Sequence, residues 1–181
     1  MPKKIQTVYK NNRDQAVLKN MHYNRFLLFR YSLALFFFAN LYWLISFFVT
    51  ASNFWIVPLA VMVLSVPAIY EQVKLNGTTP KDMIHLKSTN RYFFVQLGVN
   101  LALILTSLTS WGMERLFEFI ANTTKGWLFL FVILLVGAII SLLDVRRVEQ
   151  IKNNSDKTLQ AIVDFEKTSG KERKKNYGTR K

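Results

Sequence analysis

The side chains of this 181-residue chain that could do chemistry inside apolar surroundings are amides and hydroxyls. We single out four that lie within long stretches containing no Asp, Glu, Lys, Arg or His: Asn40, Gln96, Asn100 and Ser107. The last three follow one another at spacings of four and seven, so they share one face of a helix. Such groups can hold helices together or can coordinate a polar substrate or ion. We expect the first role, with a hydrogen bond between Asn40 and Asn100.

Small residues suggest where helices pack closely. Gly98 and Ala102 fall on the helix face opposite the polar one, and Gly137 and Ser141 are four residues apart in another apolar stretch. Side chains this small let two backbones approach each other. We therefore predict helix contacts at these positions, either within one chain or between copies in a homo-oligomer.

Several kinds of chemistry are excluded or disfavoured by residue types. The chain has no Cys, which excludes disulfides and thiolate metal sites. Its two histidines, His22 and His85, are not part of an H-E-x-x-H pattern, and its glycines do not form a phosphate-binding loop. No ionisable residue interrupts the apolar stretches, which argues against an ion-coupled pump. We expect no enzyme activity, no metal and no cofactor.

The apolar stretches that carry these residues predict an all-α, polytopic membrane protein. Stretches of about 20 residues match a hydrocarbon core of about 30 Å at 1.5 Å per helical residue. Residues 111–126 mix aromatic with charged side chains, and we predict a helix that lies in the membrane interface. The four predicted transmembrane helices are residues 31–50, 54–70, 92–110 and 127–143.

The basic residues predict the topology of the chain. Lys and Arg number 24 against 11 Asp and Glu, and 22 of the 24 fall in residues 1–30, 71–91 and 144–181. Because cations are retained on the cytoplasmic side, both termini should be cytoplasmic. Richness in Lys, Asn, Phe and Ile without Cys is compatible with a low-GC bacterium, so we expect a multi-pass protein of the cell membrane.

The cytoplasmic tail, residues 144–181, should begin as a helix. The fourth transmembrane helix should continue to about Ile151, and residues 153–155 should break it and cap a second helix that ends near Gly170. Leu159, Ile162 and Val163 form the apolar stripe of this amphipathic helix. The basic residues that follow are expected to be disordered: Lys171, Arg173, Lys174 and Lys175.

Lipid and protein are the expected partners of this tail. Clustered cations attract anionic lipid head groups, and an apolar stripe can dock on another membrane or cytoplasmic protein. Nucleic acid is not expected, because no aromatic residues alternate with the cations. The sequence thus favours a non-catalytic accessory or scaffolding subunit. The alternative is a small oligomeric transporter or channel with a polar path through Asn40, Gln96 and Asn100.

Overall fold

The computed structural model is helical nearly throughout. It describes residues 3–50, 53–75, 86–117, 120 and 123–178, and the side chains of residues 9 and 11–169 within these ranges. His85 and residues 118–119 and 121–122 of the predicted interfacial helix lie outside them. No strand occurs in the described ranges. The described helices are α1 (Lys3–Arg25), α2 (Leu27–Val49), α3 (Ile56–Lys74), α4 (Lys87–Ser107), α5 (Ser110–Leu116), α6 (Thr124–Lys152) and α7 (Lys157–Gly178), with a 3₁₀ turn at Asn53–Trp55.

Three described segments are long and apolar enough to cross a membrane: Leu27–Val49, Asn53–Lys74 and a stretch that begins with α6, Thr124–Ser169. The pair α4 and α5 also qualifies, although the two helices bend by 120° at a short break. The described part of the chain therefore has three candidate spans, or four if the bent pair counts as one. This confirms the all-α class and is compatible with a membrane protein.

The helix ends differ from the predicted ones in informative ways. α4 ends at Ser107 and α5 covers only Ser110–Leu116, because Thr109 ends the run with extended backbone and caps α5. Its Oγ1 accepts a hydrogen bond from the Gly112 amide at 3.1 Å. Thr is a favoured N-cap residue because its side chain satisfies an amide that the helix leaves free.

The chain divides into two compact units. The terminal unit comprises Met1–Leu28 and Gln150–Lys181, and the central unit comprises Phe29–Glu149. In the central unit the long helices α3 and α4 pack against each other. Ser65 and Ala68 of α3 and Thr89 of α4 are all fully buried. Small side chains allow two helix backbones to approach each other in this way.

Aromatic side chains fill the core of the central unit. The Phe93 ring lies 5.9 Å from Phe29 and 6.4 Å from Phe36, measured between ring centroids. These separations and their tilted or edge-on angles are the arrangements that aromatic pairs prefer. A second cluster of buried residues joins α2, α4, α5 and α6, and its members are Trp43, Phe47, Leu103, Met113, Leu116, Phe117, Leu130 and Leu134.

In the terminal unit α1 packs against α7. α6 ends as predicted near Ile151, in a Schellman turn: Asn154 has φ 51°, and the Ser155 amide donates to the Gln150 carbonyl at 2.9 Å. The cap of α7 is Asp156, whose Oδ2 accepts from the Leu159 amide at 3.1 Å. The predicted end near Gly170 is wrong, since α7 continues to Gly178. One glycine costs a helix only about 1 kcal/mol, and the Lys, Glu and Arg residues after it are good helix formers.

The bend between α4 and α5 depends on Gly112. A Cβ atom added there would lie 2.0 Å from the Thr106 carbonyl oxygen, which is backbone and cannot move aside cheaply. Gly98, on α4, would meet nothing within 4 Å. The glycine at 112 is therefore required by a close backbone approach, whereas the glycine at 98 is not.

We expect Gly112→Ala to lower the free energy of unfolding by about 1–3 kcal/mol, the usual cost of overpacking. Gly98→Ala is the matched control and should be neutral or stabilising by up to about 1 kcal/mol, because Ala favours the helix. Unfolding in detergent, monitored by circular dichroism, measures the free energy of unfolding of both variants. Equal effects of the two substitutions would contradict this account of the bend.

Candidate functional site

Three of the four predicted polar residues, Asn40, Gln96 and Asn100, form one hydrogen-bonded cluster around Gln96. Its Oε1 accepts from the Tyr92 hydroxyl at 3.3 Å and from Asn40 Nδ2 at 3.5 Å, and its Nε2 donates to Asn100 Oδ1 at 3.3 Å. Asn40 Nδ2 also donates to the Phe36 carbonyl at 2.7 Å. The expected direct bond between Asn40 and Asn100 is replaced by a bridge, because Gln96 has the longer side chain and lies between them.

One hydrogen-bonding atom of this cluster is unused. Asn100 is 5% exposed, and its Nδ2 has no hydrogen-bond partner in the described part of the chain. A buried unpaired donor costs about 1–3 kcal/mol. Nδ2 lies against Gly137 of α6, where an added Cβ atom would be only 3.0 Å from it. The missing side chain at Gly137 therefore makes room for this amide.

The remaining predicted residues have local roles or open surroundings. Ser107 is buried but donates to the Ile104 carbonyl of its own helix at 2.8 Å. Ser141 likewise donates to the Gly137 carbonyl at 2.9 Å. Ala102 is exposed, and the space beside Gly98 is empty. Contact between copies through Gly98 and Ala102 stays a prediction.

A cavity of about 430 Å³ lies beside the amide cluster, between α2, α4 and α6. Asn40, Gln96 and Asn100 are among its lining residues, and so is Gly137. Most of the other described lining residues are apolar, and none of those described is charged. The cluster therefore gives polar character to one part of a mainly apolar cavity.

Two tryptophans satisfy carbonyl groups at helix ends. Trp43 Nε1 donates to the Leu116 carbonyl at the end of α5, and Trp127 Nε1 donates to the Ser107 carbonyl at the end of α4, each at 3.1 Å. The Trp43 ring also stacks on Phe117 with 6.0 Å between centroids. Sequence patterns indicate membrane-interface anchors at such tryptophans, but they do not reveal which carbonyl an indole will meet.

Glu71 caps a helix from outside it. Its carboxylate accepts from the Thr89 amide at 2.7 Å and from the Ser88 amide at 3.3 Å, in the first turn of α4. Gln72 donates to the Thr89 hydroxyl at 2.9 Å. An acidic group at a helix N-terminus satisfies free amides and interacts favourably with the helix dipole. The acid that follows the second apolar stretch thus has a structural role.

The terminal unit is built around a buried ion pair that no sequence pattern predicted. Arg25 and Asp156 are 131 residues apart, yet Arg25 donates to both carboxylate oxygens at 2.6 and 2.9 Å. The two side chains are only 3% and 0% exposed. Ser169 donates to Asp14 at 2.7 Å farther along the same helix pair. Because a buried charge requires a partner, the ion pair fixes how α1 and α7 meet.

The packing of α1 on α7 buries one of the predicted contact residues of the tail and leaves others accessible. Ile162 is 1% exposed, whereas Val163 is 38% exposed and Leu159 is half-buried. The stripe is therefore used in part within the chain, and Leu159 and Val163 remain accessible. Lys171, Arg173, Lys174 and Lys175 are on α7, but their side chains lie outside the described part of the structure.

The pKa of His22 on α1 is lowered from its ordinary value. Burial is the largest cause, since it disfavours the charged imidazolium, and the nearby Arg25 acts in the same direction. Glu166 of α7 opposes the shift. His22 should therefore be neutral in the folded terminal unit at pH values where an unfolded chain would already protonate it.

Breaking the ion pair should loosen the terminal unit. We expect Asp156→Asn to destabilise the packing of α1 on α7 by about 3–5 kcal/mol, because it leaves Arg25 buried without its counter-charge. The amide oxygen can still cap α7, so the ion pair is tested rather than the cap. Hydrogen-exchange protection of α1 and α7 measures the effect. Asp164→Asn, at an exposed position of α7, is the control. Equal losses of hydrogen-exchange protection in both variants would contradict a stabilising role of the ion pair.

The stability of the terminal unit should depend on His22 in mildly acidic solution. Its folded pKa is below the unfolded value of about 6.5, so the unfolded state binds more protons just below that pH. Stability is then complete above about pH 6.5 and decreases as the pH falls towards the lowered pKa. Protection factors of α1 and α7 should show this decrease in the native chain and a smaller one in His22→Gln. The same decrease in both would exclude His22 as its source.

Comparison with protein-family models, with curated proteins and with solved structures finds no match for this chain. The residues and their geometry are therefore the basis for assigning a function.

Proposed function

We propose that this chain is a non-catalytic, multi-pass integral membrane protein that acts as an accessory or scaffolding subunit. The observation that carries the proposal is the α1–α7 pairing, in which the two ends of the chain are joined by a buried, bidentate ion pair. A tail that served only to attract lipid would need no such pairing. A folded polar unit attached to apolar helices is suited to present a defined surface to another protein.

Insertion in the membrane is supported by the outer surface of the apolar helices. Large apolar side chains are exposed along them, among them Phe38, Phe48, Val63, Phe129 and Ile139. Apolar surface this extensive is unusual for a soluble monomer and requires lipid or a partner to cover it. With 22 of the 24 cations in three segments, cell-membrane insertion with cytoplasmic termini is the topology we propose.

The non-catalytic part of the proposal is supported by how polar side chains are used. Glu71 caps α4, Asp156 pairs with Arg25, and Gln96 bridges two asparagines. Each of these groups makes hydrogen bonds that stabilise the fold. A catalytic acid, base or nucleophile is instead positioned to meet a substrate.

The transport alternative has less support. A polar path through Asn40, Gln96 and Asn100 would need their hydrogen-bonding groups to face water or solute, whereas most of these groups bond to one another. The described lining of the cavity beside them is mainly apolar and includes no charged residue. These features favour helix association as the role of the amides.

The surface we assign to a protein partner is centred on Leu159 and Val163. They are four residues apart, so they share one face of α7. Val163 is exposed and Leu159 is half-buried, whereas Ile162 is enclosed within the terminal unit. A partner would therefore contact the first two residues and leave the pairing of α1 with α7 intact.

Gentle extraction from the native membrane should yield this chain together with a protein partner. Val163→Glu should release the partner, since a carboxylate cannot be buried in an apolar contact without large cost. Ala161→Glu adds the same charge at another exposed position of α7 and should leave the complex intact. Quantitative mass spectrometry of the purified material measures both. A chain that is always recovered alone and monomeric would overturn the proposal.

A further inference from the structure

The cavity of the central unit has the properties of a small-molecule site. Its volume of about 430 Å³ lies within the range of about 300–1,000 Å³ usual for such sites. Its lining is mostly aliphatic and aromatic, with a small polar region formed by Asn40, Gln96 and Asn100. An apolar cavity with a few convergent polar groups is the usual form of a pocket for a mainly apolar ligand.

The entrance to the cavity faces apolar surroundings. Several of its lining residues are also exposed on the outer surface of α2 and α6: Leu35, Phe129, Val132, Ile133 and Val136. A ligand that enters past these side chains must come from an apolar phase. In the membrane arrangement proposed above, that phase is the lipid interior.

The charge and polarity of the lining define the ligand further. None of the described residues that line the cavity is Asp, Glu, Lys, Arg or His, so a charged group buried among them would have no counter-charge. The unpaired polar atom beside it is a donor, Asn100 Nδ2, and its complement is an acceptor oxygen. Because Gly137 has no side chain, this amide fits against α6, where an added Cβ atom would lie only 3.0 Å from Nδ2.

We propose that this cavity binds a neutral single-chain lipid. The chain occupies the apolar space between α2, α4 and α6, and a carbonyl or hydroxyl oxygen of the head accepts a hydrogen bond from Asn100 Nδ2. A small movement of the Asn100 amide away from Gly137 brings the donor to the ligand. The proposal requires membrane insertion, but it does not depend on a protein partner.

The test uses the full chain in nanodiscs and a monoacylglycerol with a photoreactive diazirine in its acyl chain. Lysophosphatidylglycerol with the same labelled chain is the charged counterpart. We expect saturable crosslinking of the monoacylglycerol to the cavity segments of α2, α4 and α6, with competition by unlabelled monoacylglycerol. The charged probe should label these segments weakly and should not compete. Labelling that rises linearly with probe, without competition, would overturn the proposal, as would equal competition by both lipids.

Two substitutions and a matched control locate the site. Asn100→Leu removes the donor, and Gly137→Leu fills the space beside it, so each should weaken saturable labelling by about tenfold or more, the equivalent of one lost hydrogen bond. Gly98→Leu makes the same change where the structure leaves open space, so the probe should label this variant as strongly as the native chain. Circular dichroism and gel filtration establish that each variant is folded, and Gly137→Ala is a milder substitute for a variant that is not. Unchanged labelling in the folded Asn100 and Gly137 variants would overturn the proposal.

Discussion

The structure depends above all on the need to pair polar groups where water is scarce. An apolar helix satisfies its own interior backbone, but its first amides and last carbonyls have no partner within the helix. In the central unit these ends are satisfied by side chains from other elements. Trp43 and Trp127 bond carbonyls at the ends of α5 and α4, and Glu71 bonds amides at the start of α4. These long-range hydrogen bonds determine which helix end meets which helix.

The same need explains the terminal unit, where the groups are charged. Arg25 lies at the end of α1 and Asp156 at the start of α7, and neither could be buried alone without a large cost in free energy. Together they join segments from opposite ends of the chain. Asp156 also caps α7, so one carboxylate begins the helix and holds it to α1. The described part of α7 is thereby packed against α1.

The sequence predicted more of the secondary structure than of the site. Periodicity and the absence of charge located the apolar helices to within a few residues, because burial of apolar side chains is a local property of the chain. The bend of 120° between α4 and α5 was missed, since it depends on the contact of Gly112 with Thr106. Gln96, Asn100 and Asn40 were identified as a polar set, but the bridging role of Gln96 required knowledge of how α2 and α4 face each other.

The sequence by itself determined the all-helical class, the apolar stretches that could span a membrane and the concentration of cations in three segments. These follow from composition and from periods of three to four residues. Tertiary structure alone decided that Arg25 pairs with Asp156, that Gly137 faces Asn100, and that Ile162 is buried while Val163 is exposed. The physical reason is that each of these outcomes depends on the relative position and rotation of two helices. That geometry results from packing and hydrogen bonding across the whole unit, which no local stretch of sequence contains.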